Sequence, residues 1–356
     1  MGPAKRHHHS IFCILPPHLL EAIMKNGSDD QRRAAAQTLR SAAAMRIARA
    51  AAHERLRALA PAASTGAPHK KRVIFNAAHT EKIPGARARA EGQGPTGDAA
   101  VDEAYEGLGA TFDLYWDVWK RDSVDGAGME LDATVHYGKD YDNAYWNGER
   151  MIFGDGDGRL FNRFTIAVDV IGHELTHGVT GHTANLDYNG QSGALNESVS
   201  DVFGSLVKQY AASPRQSAAQ ADWLIGEGLL LPGVKGVALR SMKAPGTAYD
   251  DPVLGRDPQP AHMKDYVTTT DDDGGVHINS GIPNNAFARL AISFGGYSWE
   301  KAGQIWYRTL TDARLAAASQ FADFARLTVV NAFQLYGAEG KQAATDAWSQ
   351  VGIQVT

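Results

Sequence analysis

Two patterns of apolar and polar positions divide the chain near residue 165. Between Val73 and Gly154, short apolar runs alternate with Gly, Asp and Asn turns: Val73–Asn76, Ala133–Gly138 and Arg150–Gly154. Runs of that length between turn residues predict strands. One helix is expected among them, around Val101–Arg121. From Thr165 the apolar positions recur at helical spacing. They predict helices over 165–182, 193–211, 280–294, 299–311, 319–336 and 339–350. Val168, Val170, Ile171 and Leu175 make the first of these apolar nearly all round, which marks a buried central helix. No internal repeat is visible. A strand-rich lobe followed by a helical one predicts an α+β fold.

The first seventy residues have a third texture. Pro17–Met24 reads as a Pro-initiated short helix, stopped by Asn26-Gly27. Ser28-Asp29-Asp30 starts an Ala/Arg-rich helix expected to run to about Leu59, with Leu39, Ala43, Ile47 and Ala51 at helical spacing. Residues 60–68 are a linker by composition, and Lys70-Lys71-Arg72 behind it is a natural place for proteolytic nicking. His7-His8-His9 falls in an expected flexible end. The division is then 1–70 leader and linker, 71–182 strand-rich lobe with the central helix, and 183–356 helical lobe.

Composition narrows the class. The chain has 356 residues, 44% hydrophobic and 21% charged, ordinary values for a globular protein with a sizeable core. No apolar run approaches the ~18–20 residues of a membrane span. Ile11–Leu15 is broken at once by Pro16-Pro17, so no secretory signal is seen. A cytoplasmic enzyme, or release outside the general export pathway, is expected. Cys13 is the only cysteine, so no intrachain disulfide can form. The net charge of −5 conceals +8 in residues 1–71 against −13 in the remainder. A basic leader on an acidic body predicts that the two dock. A nucleic-acid arm is the weaker reading, because the leader lacks aromatics to stack on bases.

The candidate chemistry sits in the central helix, at His173-Glu174-Leu175-Thr176-His177. Histidines at i and i+4 share one helix face about one turn apart, so both can reach one ion. Glu174 points to the same side and can act as base toward water that the metal polarises. A catalytic zinc also needs a third ligand and an open position. Glu197, twenty residues past His177, suits that ligand. Asp201, at i+4 from it, suits an acceptor that orients a ligand histidine. The bland alternative is a solvated acidic helix face. A different zinc-hydrolase pattern, H-E-x-x-H-x-x-G-x-x-H, fails, because Thr180 and Thr183 stand where Gly and His are required.

Five motifs occur in order: Asn143–Trp146, Gly154–Gly158, His173–His177, Gly193–Asp201 and Asp272–Gly281. On these the chain from about Asp132 onward resembles the thermolysin-like family of zinc metallopeptidases. The resemblance implies two lobes joined by the zinc helix. It implies one catalytic zinc on His173, His177 and Glu197, and Glu174 as general base. Tyr188 and His277 would stabilise the oxyanion, with Asp272 supporting the imidazolium of His277. Asn143 and the Ala144 backbone would hold the substrate main chain, and Arg240 a substrate carbonyl. Phe161, Phe164, Val170, Ile225, Leu229 and Leu239 would line the pocket for the residue after the scissile bond. Cleavage N-terminal to bulky hydrophobic residues of a peptide or protein is then expected. The rival classes are a catalytically silent peptide-binding homologue and a zinc aminopeptidase.

Two departures stand out. Where the family binds calcium, Asp169, Asp222 and Glu227 are joined by Lys208 and Leu224, and Leu231 and Val237 replace oxygen donors of a second position. Lys208 is expected to take the place of the ion, leaving calcium weak or absent. The leader resembles that of the short-leader, protealysin-like branch, which carries a Pro-Pro-x-x-Leu element, here Pro16, Pro17, Leu19 and Leu20. It is expected to cover the cleft of a monomeric proenzyme. Cys13 is expected to be buried and inert, the rival being a thiolate plug on the zinc.

Overall fold

A computed structural model describes residues 13–41 and 67–355. The expected flexible end with His7–His9, the expected helix beyond residue 41, and residues 60–66 of the linker lie outside the described residues. The leader begins with helix α1 (Pro17–Asn26), which has Pro17 at its first position and buries Leu19, Leu20 and Ile23. A second helix, α2, occupies 29–41.

The strand-rich lobe is one five-stranded sheet. Its strands are β1 (Arg72–Asn76), β2 (Ala86–Ala90), β3 (Leu131–Val135), β4 (Ala144–Trp146) and β5 (Arg150–Phe153), in the order β2-β1-β3-β5-β4. The three central strands are parallel, and β2 and β4 pair antiparallel at the edges. Helix α3 (Ala99–Trp119) packs on β1 and β3. Asp98 caps it by accepting from the amides of Ala100 and Val101, and Lys120 ends it in the left-handed region at φ 54°. Arg72 opens β1 buried, bound to Glu91 through Nε and Nη2 at 2.7 and 2.6 Å. A nick in this basic stretch would therefore have to fall ahead of the sheet.

The central helix α4 (Val168–Gly181) is buried along most of its length, as its apolar surface demands. It packs closely on α5 (Gly190–Ala211). Glycines permit the approach. A Cβ on Gly204 would sit 2.4 Å from the Asp169 carbonyl oxygen, and one on Gly172 would sit 3.0 Å from Val207. Residues 212–271 carry one short 3-10 turn (Met263–Asp265) and two-residue strands, β6 (Leu224–Ile225) paired with β7 (Arg240–Ser241) and β8 (Asp250–Asp251) paired with β9 (Gly255–Arg256). The helical lobe closes with α6 (Asp272–Asn279), α7 (Gly281–Phe294), α8 (Ala302–Leu310) and α9 (Phe321–Gln350). Gly337, at φ 63° and ψ −151°, breaks α9 where two helices were expected. Stacked Trp306 and Trp348, with Phe324 and Phe287 against them, fill the core of this lobe. Among the described residues, no helix is long and apolar enough to cross a membrane.

A histidine between two carboxylates lies where the sheet meets the start of α3. His136 faces Asp155 through Nδ1 at 2.8 Å and Asp98, the cap of α3, through Nε2 at 3.0 Å. The hydrogen bond to Asp155, opposed by burial and reinforced by Asp98, raises its pKa from 6.5 to about 9. A folded-state pKa above the unfolded value gives stability that is complete below pH 6.5 and fades as pH rises through 9. The unfolding midpoint is therefore expected to fall across that window. Thermal scans of His136→Gln should show a lower midpoint at the acid end and a flatter profile.

Candidate active site

The α4–α5 contact brings three ligand atoms together. His173 and His177 face each other with ring nitrogens Nε2 3.0 Å apart. Glu197 sets Oε1 at 3.3 Å from His177 and Oε2 at 3.5 Å from His173, and all three side chains are buried. The far nitrogens settle the tautomers. His173 Nδ1 donates to Asp201 at 2.8 Å, and His177 Nδ1 to the Asn196 side-chain oxygen at 2.9 Å. Asn196 donates its own amide to the Leu186 carbonyl, which leaves its oxygen as the acceptor. Both Nε2 lone pairs therefore point at one another, beside a Glu197 oxygen that has no hydrogen-bond partner. That arrangement is repulsive until a cation enters, and a His-His-carboxylate set fits zinc. A second convergence, His79 with His136 and Asp155, does not fit a metal, because both nitrogens of His136 already donate to carboxylates.

Asp201 does more than orient His173. It also accepts two bonds from the buried Arg240, Nε at 2.9 Å and Nη2 at 2.7 Å, and one from Asn284 at 2.8 Å. Burial raises its pKa, but Arg240 and His173 outweigh burial and hold it at about 2. Arg240, expected to bind a substrate carbonyl, has the geometry both for that and for a buried salt bridge.

Tyr188 and His277 meet opposite the ligand triad. The Tyr188 hydroxyl lies 3.3 Å from His277 Nε2 and donates to Glu197 Oε1. Asp272 through Gly275 run left-handed, with φ of 50°, 50°, 89° and 75°. This reverse turn folds the Asp272 carboxylate back onto His277, bonding Nδ1 at 2.6 Å and the backbone amide at 2.9 Å. Two of the four positions are glycine, which adopts this conformation freely. Burial lowers the His277 pKa, yet Asp272 and Glu197 overcome it and raise the value to about 9. Glu174 Oε2 accepts from the Trp146 amide at 2.9 Å, which ties it to β4.

The leader fills the cleft. Cys13 bridges Tyr145 antiparallel on the free edge of β4. Ile14 donates to the Ala144 carbonyl at 3.2 Å, and Leu15 to the Asn143 side chain at 3.0 Å. Arg240 Nη1 donates to the Ile14 carbonyl at 3.1 Å. The groups assigned to hold a substrate thus hold the leader. Ile14 is fully buried in the same apolar cluster as Phe161, Phe164, Val170, Ile225, Leu229 and Leu239. Pro16 caps α1, and His18 behind it reaches the Tyr249 hydroxyl at 3.2 Å.

Cys13 is buried, as expected, and the rival thiolate plug finds no support in its surroundings. The Cys13 thiol packs among Tyr137, Tyr141, Tyr145 and Ile152 and points to the Leu15 carbonyl at 3.5 Å. Burial, with the charge of Glu174 added, pushes its pKa up to about 12, so it stays a thiol, and it is not among the converging ligands. Charged contacts of the leader are seen among the described residues. Lys70 and Lys71 do pair with Asp113 and Glu130. In the cleft, docking is apolar and main-chain, and Asp30–Arg159 places the acid on the leader and the base on the body.

Away from the cleft, Lys208 Nζ lies 2.7 Å from Asp222, 3.0 Å from Glu227 and 3.7 Å from Asp169. Burial raises the Asp169 pKa to about 6, with Lys208 opposing. Asn196, Asn284 and the Trp146 amide escaped the sequence reading. Asn196, next to Glu197, carried the only local signal.

Comparisons with known proteins agree on one family. The family model of the thermolysin metallopeptidase catalytic domain matches residues 74–181, and that of its α-helical domain matches residues 184–353. An extracellular metalloprotease of Pectobacterium carotovorum subsp. carotovorum is 51% identical over 348 residues, 97% of each chain. Protease PrtS of a Photorhabdus strain is 49% identical over 345 residues, covering 96% of this chain and 92% of that one. Among solved structures, the precursor of protealysin from Serratia proteamaculans superposes with a TM-score of 0.87 at 52% identity, covering 96% of this chain and 99% of the other.

Asp201→Ala leaves the buried Arg240 without its partner. It is expected to cost about 3–5 kcal/mol in urea unfolding. Zinc affinity, measured by chelator competition, should fall about 10–100-fold as His173 loses its orienting acceptor.

Proposed function

The chain belongs to the thermolysin family of metallopeptidases, and from that premise we propose how its own residues divide the work of hydrolysis. It is a zinc-dependent metalloendopeptidase in its proenzyme form. The observation that carries the residue assignment is the meeting of two Nε2 lone pairs and a bare Glu197 oxygen beside Glu174 and the Tyr188–His277 pair.

His173, His177 and Glu197 would hold zinc, which polarises water and the substrate carbonyl when bound. Glu174, anchored by the Trp146 amide, takes a proton from the attacking water and returns it to the leaving nitrogen. Tyr188 and His277 donate to the carbonyl oxygen as negative charge develops there. Asn143 and Ala144 hold the substrate as an added strand on β4, and Arg240 grips the next carbonyl. The apolar pocket around Leu229 and Leu239 selects a bulky hydrophobic residue after the scissile bond. A silent homologue would have no use for this set of acid, base and donors. The leader acts as a propeptide, since a substrate cannot use an edge that Cys13–Leu15 already occupies.

At the calcium position of the family, Lys208 replaces the ion. Its ammonium meets the three carboxylates that would otherwise need a divalent cation.

Glu174→Gln is expected to lower kcat by about 10²–10⁴-fold. Metal analysis should still find zinc on that variant, and near wild-type turnover would overturn the assignment. Millimolar calcium should leave the unfolding midpoint unchanged. Lys208→Met should lower stability by about 1–3 kcal/mol, between the surface and buried limits for an ion pair. A calcium-dependent rise in the wild-type midpoint would sink the replacement.

A further inference from the structure

We propose that the Cys13–Ile14 peptide bond is a cleavage site built into the chain, cut by the centre of the same molecule. The proposal rests on the endopeptidase reading above and adds to it a particular bond. The propeptide could block the cleft reversed, displaced or through its thiol. It does none of these. It lies in the cleft as a peptide about to be cut.

The carbonyl identifies the bond. The Cys13 oxygen is 3.1 Å from His277 Nε2, and the same nitrogen lies 3.3 Å from the Tyr188 hydroxyl and 3.5 Å from Glu197 Oε2. One carbonyl thus touches the oxyanion donor at the rim of the ligand triad. The following nitrogen is also placed. The Ile14 N–H is held on the Ala144 carbonyl, two residues along β4 from the Trp146 amide that fixes Glu174. The next carbonyl, of Ile14, meets Arg240, and the next amide, of Leu15, meets Asn143. Ile14, the residue after the bond, is apolar, branched and wholly buried. Direction, register and side chain all match a productive substrate.

The chemistry balances with water alone. Its oxygen goes to the Cys13 carbonyl carbon as the C–N bond breaks. Cys13 ends as a carboxylate, and both protons of the water, the first passed by Glu174, end on the Ile14 nitrogen, which leaves as an ammonium. Residues on the Ile14 side stay anchored, because Leu19, Leu20 and Ile23 of α1 are buried in the main core. The first cut therefore removes residues up to 13 and leaves the cleft covered. Activity on other peptides must wait for a second cut that frees α1 and α2.

The test uses the full chain, produced and purified with a zinc chelator and then given one equivalent of zinc. Intact mass and N-terminal sequencing follow it over time at several chain concentrations. A species beginning at Ile14 should appear with one half-time at every concentration, and before hydrolysis of an added peptide rises. Glu174→Gln should keep its original N-terminus. Ile14→Asp, which puts a carboxylate in the apolar pocket, should slow the cut by about tenfold or more. Two outcomes overturn the proposal and leave the endopeptidase reading standing. One is a zinc-loaded wild-type chain that matures to active enzyme without ever showing Ile14 as N-terminus. The other is an Ile14 species whose rate rises with chain concentration, which means cutting between molecules. A chain freed of its propeptide that still hydrolyses no added peptide fails the endopeptidase reading itself.

Discussion

One buried carboxylate, Asp201, sets the geometry of the cleft. It is wholly buried, yet it stays ionised because Arg240, Asn284 and His173 supply four donors between them. Its acceptance from His173 Nδ1 forces the opposite nitrogen to present a lone pair to the metal position. Its bidentate hold on Arg240 aims the remaining guanidinium nitrogen at the Ile14 carbonyl. Metal ligand and substrate grip are thus spaced by the width of one carboxylate. The α4–α5 crossing, made close by Gly172 and Gly204, places that carboxylate opposite His173.

The edge strand β4 is the second fixed element. An unpaired edge is an open template for another strand. In this chain Cys13–Leu15 fill it. Two kinds of interaction combine there. Main-chain bonds set direction and register, while Ile14, Leu15, Leu19, Leu20 and Ile23 supply burial, on the order of 1.5–3 kcal/mol each before the cost of ordering. Burial gives the propeptide affinity, and the hydrogen bonds determine which peptide bond faces His277.

The legible part of the site was the part carried by local spacing. His173, Glu174 and His177 lie within one helical turn, and Glu197 and Asp201 repeat the i, i+4 relation on the next helix. The Asp272–Gly281 motif marked His277 and Asp272, though not that Asp272 to Gly275 would run left-handed. Asn196, Asn284 and the Trp146 amide act through contacts that no spacing rule announces. Asn284 lies 83 residues from its partner, and a backbone amide carries no residue signature. The fold classes of both lobes followed from periodicity. The stretch 212–271 did not, because its two-residue strands are too short to leave a pattern.

Among the described residues, the register of the propeptide is set by main-chain contacts rather than by net charge. A +8 segment against a −13 remainder predicts attraction, yet screened charges fix neither register nor depth. The contacts that decide the pose, Ile14 to Ala144, Leu15 to Asn143 and Arg240 to the Ile14 carbonyl, need no formal charge on the propeptide at all. The same logic explains the thiol. In this register successive side chains alternate about the strand, so Ile14 is buried with the main core and Cys13 turns away into the tyrosines. A thiolate on the metal would require a shift of one residue, which would bring the thiol inward and expel Ile14 from the core. The strand cannot satisfy both. The buried apolar side chain wins, and with it the carbonyl of Cys13, rather than its sulfur, is the group presented to the catalytic centre.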